Sequence, residues 1–349
     1  MTIEDIQALD RSDMFGCIRA FPQQVRDAVS IGSGATIRRA PRSIRSIVVC
    51  GLGGSAIAGD LLRSYLADEL AVPFLVNRYY RLPRFVGPDT LVVISSYSGN
   101  TEETVAAHKE AVRRKAKVLC ISSNGTTETL ARARRSPFIK VPGGLQPRAA
   151  LGLSFFPLLI ALQKLGFVRN KTRDIKETIE LLDARSAEYA NPERSPNRPL
   201  ELAGLLNNRV VVVYSSTDRF DSVNTRWRGQ MAENAKTLAF GHVLPEMNHN
   251  EIVGWKTLTA PMREMQVLFL RDREDHPRVQ KRLEVTKEIL GAYTPHITEV
   301  WSEGSSLLAR MFSLVYLGDW VSLYLAILHG VDPTPVDAIN RLKRELANA

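Results

Sequence analysis

The chain has 349 residues, 44% of them hydrophobic and 24% charged, which bounds an ordinary globular protein with room for two domains or one large α/β unit. Its formal net charge of +9 is carried by scattered, solvated arginines and lysines without interleaved aromatics; this argues against a specific nucleic-acid surface and suits an acidic substrate. Three separated cysteines (Cys17, Cys50, Cys120) lack pairing or metal-ligand spacing and read as reduced, cytoplasmic thiols, while the polar Met1–Ser12 opening is no signal peptide.

Residues 1–45 read as an N-terminal helical segment of two short helices and a basic connector. Ser46 to Cys50 is a β-branched strand, followed by three glycines, a serine and a helix from Ser55 to Leu66. Strands are expected at 72–76, 91–94, 118–121 and 138–141, with a helix over 102–114 and one long apolar helix over 148–165. This alternation predicts a parallel sheet wrapped by helices in a domain spanning 46–190. The proline- and asparagine-rich stretch 191–199 reads as a linker. The alternation restarts in a second domain, 200–349, with strands at 209–214, 265–270 and 296–300 and helices at 221–235 and 276–290. A long apolar helix over 305–328, interrupted by Arg310 and Asp319, reads as core and not as a membrane span. A C-terminal amphipathic helix over 336–346 closes the chain.

The glycine turn Gly51-Leu52-Gly53-Gly54-Ser55 lets backbone approach a ligand and aims helix N-terminal N–H groups at it, which is how proteins hold phosphates. Gly51-x-Gly53-x-x-Ala56 also fits the tolerant dinucleotide fingerprint. That fingerprint expects an acid about twenty residues further on, and the second strand ends instead in Asn77-Arg78. Arg78 leaves an NADP reading open. A second loop, Ser96-Tyr97-Ser98-Gly99-Asn100-Thr101, offers three hydroxyls as it enters a helix. Loops after neighbouring parallel strands face one crevice. Ser55, Ser96, Ser98 and Thr101, with the amides of Gly53 and Gly54, therefore make a phosphate cradle; the alternative for the second loop alone is a helix cap.

These two loops resemble the signatures of the sugar isomerase (SIS) fold. Three further segments resemble one branch of it, the bifunctional phosphoglucose/phosphomannose isomerases: Gln146-Pro147-Arg148-Ala149-Ala150-Leu151-Gly152, Ala232-Glu233-Asn234-Ala235-Lys236, and Leu244-Pro245-Glu246-Met247-Asn248-His249-Asn250-Glu251. The tail from Gly330-Val331-Asp332-Pro333-Thr334-Pro335-Val336 to Lys343 is similar as well. The resemblance implies an α/β fold of two SIS-type domains, each a parallel sheet flanked by helices. It implies an aldose–ketose isomerase that passes a proton between C1 and C2 of glucose 6-phosphate, and mannose 6-phosphate, through a cis-enediolate. By the same resemblance Glu233 is the base, Arg148 stabilises the enediolate, and His249 assisted by Lys343 opens the sugar ring. Thr334 handles the mannose epimer, though its spacing to Lys343 aligns in more than one way. No cofactor or metal is implied, no histidine pair has ligand spacing, and the expected assembly is a homodimer sharing its active site. A sugar-phosphate sensor with the same loops and no turnover is the reading from another functional class.

Overall fold

The computed structural model describes residues 1–347, in two compact units. The first comprises Ala20–Leu182 and Gly304–Ala309; the second comprises Met1–Arg19, Asp183–Glu303 and the chain from Arg310. Helices α1 (Ile3–Leu9) and α2 (Met14–Arg19) open the chain and belong to the second unit. Thr2 and Asp5 exchange backbone and side-chain bonds at the start of α1, a capping box.

The first unit begins with α3 (Phe21–Gly34), then runs β1 (Ser46–Cys50), α4 (Gly53–Leu66), β2 (Phe74–Asn77), β3 (Thr90–Ser95), α5 (Glu102–Arg113), β4 (Lys117–Ser122), α6 (Gly125–Arg134), β5 (Phe138–Lys140) and α7 (Leu151–Leu165). Its five strands are all parallel in the order β2-β1-β3-β4-β5, with Cys50 opposite Ile94. Val48, Cys50, Val92, Ile94 and Cys120 pack against Ala107 and Ala111 of α5 and Ala131 of α6. The alanines let both helices lie close on the β-branched sheet face. Burial raises the Cys50 and Cys120 thiols to about 12, so they behave as core residues.

The division between the units falls inside α8 (Thr172–Tyr189). The second unit continues with α9 (Arg198–Leu206), β6 (Val211–Ser216), α10 (Asp221–Glu233), β7 (Ala239–Leu244), α11 (Thr259–Arg263), β8 (Gln266–Arg271), α12 (Pro277–Leu290), β9 (Ile297–Trp301), α13 (Leu307–Leu328, from Arg310 onward) and α14 (Asp337–Ala347). Its four strands are parallel in the order β7-β6-β8-β9. Helix α13 is long and apolar enough to cross a membrane, and 94% of its most apolar window is buried inside the protein. Its two internal charges have structural partners: Arg310 Nε lies 2.9 Å from Asp272, and Asp319 lies 2.8 Å from Arg226.

The expected fold class matches these two parallel sheets, and the differences from the sequence reading are local. The expected linker at 191–199 lies within the second unit. Asn197 there caps α9 by accepting the Leu200 N–H at 3.1 Å, and donates to the carbonyls of Tyr189 and Asn191. Proline and asparagine mark caps as readily as linkers. The single helix expected over 148–165 is broken: Arg148 sits in a 3-10 turn, Pro147–Ala149, ahead of α7. The Gln24 side chain bonds Ala149 O at 2.8 Å and Gly152 N at 2.9 Å, satisfying backbone groups at the break. Strand β7 had no sequence signal because it is a half-exposed edge strand carrying Gly241 and His242.

Arg226 and Asp319 are almost wholly buried, at 4% and 6% side-chain exposure. Asp319→Ala would remove the carboxylate that faces this buried guanidinium, and we expect it to cost about 3–5 kcal/mol in urea unfolding. A cost below about 1 kcal/mol would show that the pair does not hold α10 to α13.

Candidate functional site

The order of the first sheet reverses between β1 and β3, and doubly wound sheets hold ligands beyond the carboxyl ends of such a pair. Leu52 is the cap residue of α4 and has no side-chain acceptor; Thr101 caps α5 and makes no side-chain cap bond. Two helix N-termini without side-chain caps thus begin at neighbouring strand ends, an arrangement that suits an anion. The turns are tied together by Ser55 Oγ, which accepts the Tyr97 N–H at 3.2 Å. Ser96 Oγ donates to Thr101 Oγ1 at 3.2 Å, and exposed Ser98 accepts the Asn100 N–H at 3.4 Å. Ser55 and Thr101 act here as acceptors, so their hydroxyl protons can serve a ligand.

Two glycines fix this geometry. At Gly99, φ is +72° and an added Cβ would lie 1.7 Å from Asn124 O. Thr127 bonds Gly99 O through its N–H at 2.9 Å and its hydroxyl at 3.0 Å, clamping the loop to the start of α6. At Gly54 an added Cβ would lie 2.4 Å from Pro147 O and 3.3 Å from Arg148 N. The 3-10 turn carrying the buried Arg148 therefore rests directly on the glycine turn. Gly53, Gly54, Ser55, Ser96, Ser98, Thr101 and Arg148 are thus assembled at one place in the first unit. Tyr97 was not foreseen: its N–H meets Ser55, its carbonyl accepts from Ser123 Oγ at 2.6 Å, and its hydroxyl accepts the Leu145 N–H at 3.1 Å. A lone aromatic between two serines gave no sign of this role.

Arg78 forms an ion pair with Asp60 of α4. The guanidinium that kept a nucleotide reading open is thereby engaged within the protein.

The other foreseen residues lie in the second unit. Glu233 is the last residue of α10 and is half-buried. Lys236, at φ +56°, donates to Glu233 O at 2.5 Å and to Pro333 O at 3.2 Å. One ammonium thus ties the end of α10 to the loop carrying Thr334, which is buried and whose N–H meets Asp332 Oδ1 at 2.9 Å. His249 ends a 3-10 turn, Glu246–His249, and is exposed. Its neighbours are pinned: Asn248 Nδ2 donates to Thr286 Oγ1 at 2.8 Å, and Glu251 accepts the Tyr214 hydroxyl at 2.5 Å. Burial, reinforced by Glu251, pushes the Tyr214 hydroxyl pKa up, so it stays a donor. Lys343 lies on α14, whose side chains are exposed from Asp337 to Leu346.

The strand order of the second sheet reverses between β6 and β8, and the chemistry there is different. Ser216 ends β6, and Asp275 follows β8, 6% exposed with Oδ2 lacking a hydrogen-bond partner. Burial, with the nearby Asp272 charge, pushes the Asp275 carboxyl up to about 6.

Comparison with known proteins agrees with this architecture. The SIS domain family matches residues 42–136, and the bacterial phospho-glucose isomerase C-terminal SIS domain family matches residues 196–346. A bifunctional phosphoglucose/phosphomannose isomerase of Caldicellulosiruptor bescii is 41% identical over 96% of this chain and 99% of its own. One of Aquifex aeolicus is 39% identical over 86% of this chain and 90% of its own. A hypothetical protein of Thermus thermophilus shares the fold, with a TM-score of 0.73 at 15% identity over 97% of this chain and 91% of its own.

The raised Asp275 pKa carries a sign. Below the ordinary value of 3.8 the carboxyl is protonated folded or unfolded and costs nothing; as pH rises towards about 6 the folded state resists ionisation and stability is lost. Asp275→Asn removes that loss. Its advantage over the wild type should grow between about pH 4 and pH 7 to about 2–3 kcal/mol. Parallel stability curves for the two proteins across that range would exclude a buried, strained carboxylate.

Proposed function

The chain belongs to the bifunctional phosphoglucose/phosphomannose isomerases, and we propose that it interconverts glucose 6-phosphate and mannose 6-phosphate with fructose 6-phosphate using the residues described above. The observation that carries the site assignment is the contact of Gly54 with Pro147 and Arg148. It sets the turn carrying Arg148 against the start of α4, one of two helix N-termini that lack side-chain caps, a combination that suits a phosphorylated sugar whose oxygens gain negative charge during reaction.

In this reading the hydroxyls of Ser55, Ser96, Ser98 and Thr101 and the amides of Gly53 and Gly54 hold the 6-phosphate. Glu233 removes the proton from C2 and returns it to C1, so the carboxylate is regenerated in each turnover. Arg148 stabilises the negative charge on the enediolate oxygen; its guanidinium stays charged at any working pH, which suits an electrostatic role and excludes a proton-shuttling one. His249, with Lys343, exchanges the proton that opens and closes the pyranose ring. Thr334 contacts the C2 face that distinguishes mannose from glucose, and the Lys236 tie between its loop and Glu233 O supports pairing these two residues.

The reading is metal-free and cofactor-free. Among the described residues no three His, Cys, Asp or Glu side chains are grouped to hold a metal ion. Activity that survives a chelator supports this, and activity lost to chelator and restored by a divalent cation counts against it. The reading also includes a reducing, cytoplasmic setting, supported by three free thiols, and a homodimer in which His249 serves the neighbouring subunit. The exposure of His249, with Phe240 and Val253 also exposed on the same unit, supports that assembly.

Glu233→Gln should lower kcat about a hundred- to ten-thousand-fold in a coupled assay, with little change in KM. Wild-type kcat in this variant would sink the assignment of the base. Gly54→Ala should instead raise KM first, because its methyl must push Pro147 and Arg148 off the phosphate turn. Mixing inactive Glu233→Gln protein with inactive His249→Ala protein should regenerate activity, since one site of the mixed dimer is intact. No recovery after subunit exchange, followed by a mass tag on one variant, would place His249 in its own subunit's site.

A further inference from the structure

A cavity of about 340 Å³ lies along α12 in the second unit, beside the turn that carries His249. One wall is apolar, made by Ile252, Val285 and Ile289. The rim carries Arg278, Lys281 and Arg282, spaced so that all three fall on one helix face. Glu284, 3.4 Å from Lys281 and on the exposed side of the helix, is the one carboxylate paired with these cations among the described residues. The groove therefore combines net positive charge with an apolar surface, a pairing that matches an amphipathic anion and not a sugar.

At its inner end the groove meets Asn248 and Thr286, whose side chains are bonded at 2.8 Å. Thr286 is buried on α12, so this bond fastens the Glu246–His249 turn to the helix. Arg282 reaches Asn248 Oδ1 at 3.5 Å, a long contact that a bound acid group would outcompete.

We propose that the α12 groove binds an amphipathic organic anion, and that occupancy draws Arg282 from Asn248 and shifts the turn bearing His249. The apolar body lies on Ile252, Val285 and Ile289, and the acid group lies among the three cations. The link to turnover rests on the ring-opening role proposed for His249; the binding itself does not.

The probe is 8-anilinonaphthalene-1-sulfonate, an apolar ring system with one sulfonate, titrated by fluorescence in excess fructose 6-phosphate. Saturable binding should weaken about tenfold or more in R278E/K281E, a loss of about 1.4 kcal/mol. It should be unchanged in K109E, whose exposed lysine lies on α5 of the other unit. R278Q/K281Q gives the same reading if charge reversal impairs folding. Equal affinity in the groove variants, or displacement by fructose 6-phosphate, overturns the site. At saturating probe the wild-type kcat should fall about fivefold, while N248A should bind the probe with no further change in its own kcat. A wild-type kcat indifferent to bound probe overturns the coupling while leaving the site assignments of the isomerase to their own tests.

Discussion

The buried ion pair between Arg226 and Asp319 is the constraint that fixes α10 against α13 in the second unit. Arg226, Gln230 and Asn234 follow one another at four-residue intervals on one face of α10 and its end. Arg226 and Gln230 each bond Asp319 at 2.8 Å, and Asn234 bonds Ser322 at 2.9 Å. An apolar face of the same size could slide along α13 at small cost; three polar side chains with fixed partners hold one register. Such a pair adds little net stability over an apolar substitute, because desolvation offsets the attraction. Its value here is positional: Glu233 lies within this ladder, one residue before Asn234. In the proposed reaction one carboxylate must reach two adjacent carbons, which tolerates little displacement.

The two sheets show how one topology supports opposite electrostatics. Both are parallel, and in both the strand order reverses at a pair of central strands. The first sheet presents glycines, hydroxyls and two helix starts without side-chain caps at that point, an environment of donors. The second presents Asp275, a buried acceptor whose charge is costly. The donors of the first crevice suit a phosphate, whereas a carboxylate that is costly to ionise follows β8. Duplication of a fold need not duplicate a binding site, because the residues at equivalent strand ends differ.

Much of this was legible in the chain because the parallel strands are buried. Ile47 to Cys50 and Leu91 to Ile94 are continuous apolar runs, and such runs announce themselves. The glycine turn at the start of α4 was legible because glycines before a helix have few other reasons to cluster. What stayed hidden follows equally physical rules. Strand β7 is half-exposed, so its side chains show no clear alternation. The break before α7 depends on Gln24, more than a hundred residues away, and no local pattern encodes it. Asn197 is a cap and not a linker for the same reason, since its partners are set by tertiary structure. The roles of Glu233 and His249 were suggested by segment resemblance alone; a glutamate at a helix end and an exposed histidine carry no local signature.

The glycine turn shows why the dinucleotide fingerprint alone does not identify a ligand. In dinucleotide sites the second glycine is bare so that a pyrophosphate can approach the backbone. Here the second glycine of that pattern is Gly53, with φ +51° and nothing within 4 Å of an added Cβ, while Pro147 and Arg148 press on the next residue, Gly54. Arg78, which could have met a 2′-phosphate, is paired with Asp60 on the helix that the turn begins. The glycine spacing is therefore compatible with both ligands, and what weighs against the nucleotide is the second strand, which ends in Asn77-Arg78 in place of an acid, with Arg78 already paired.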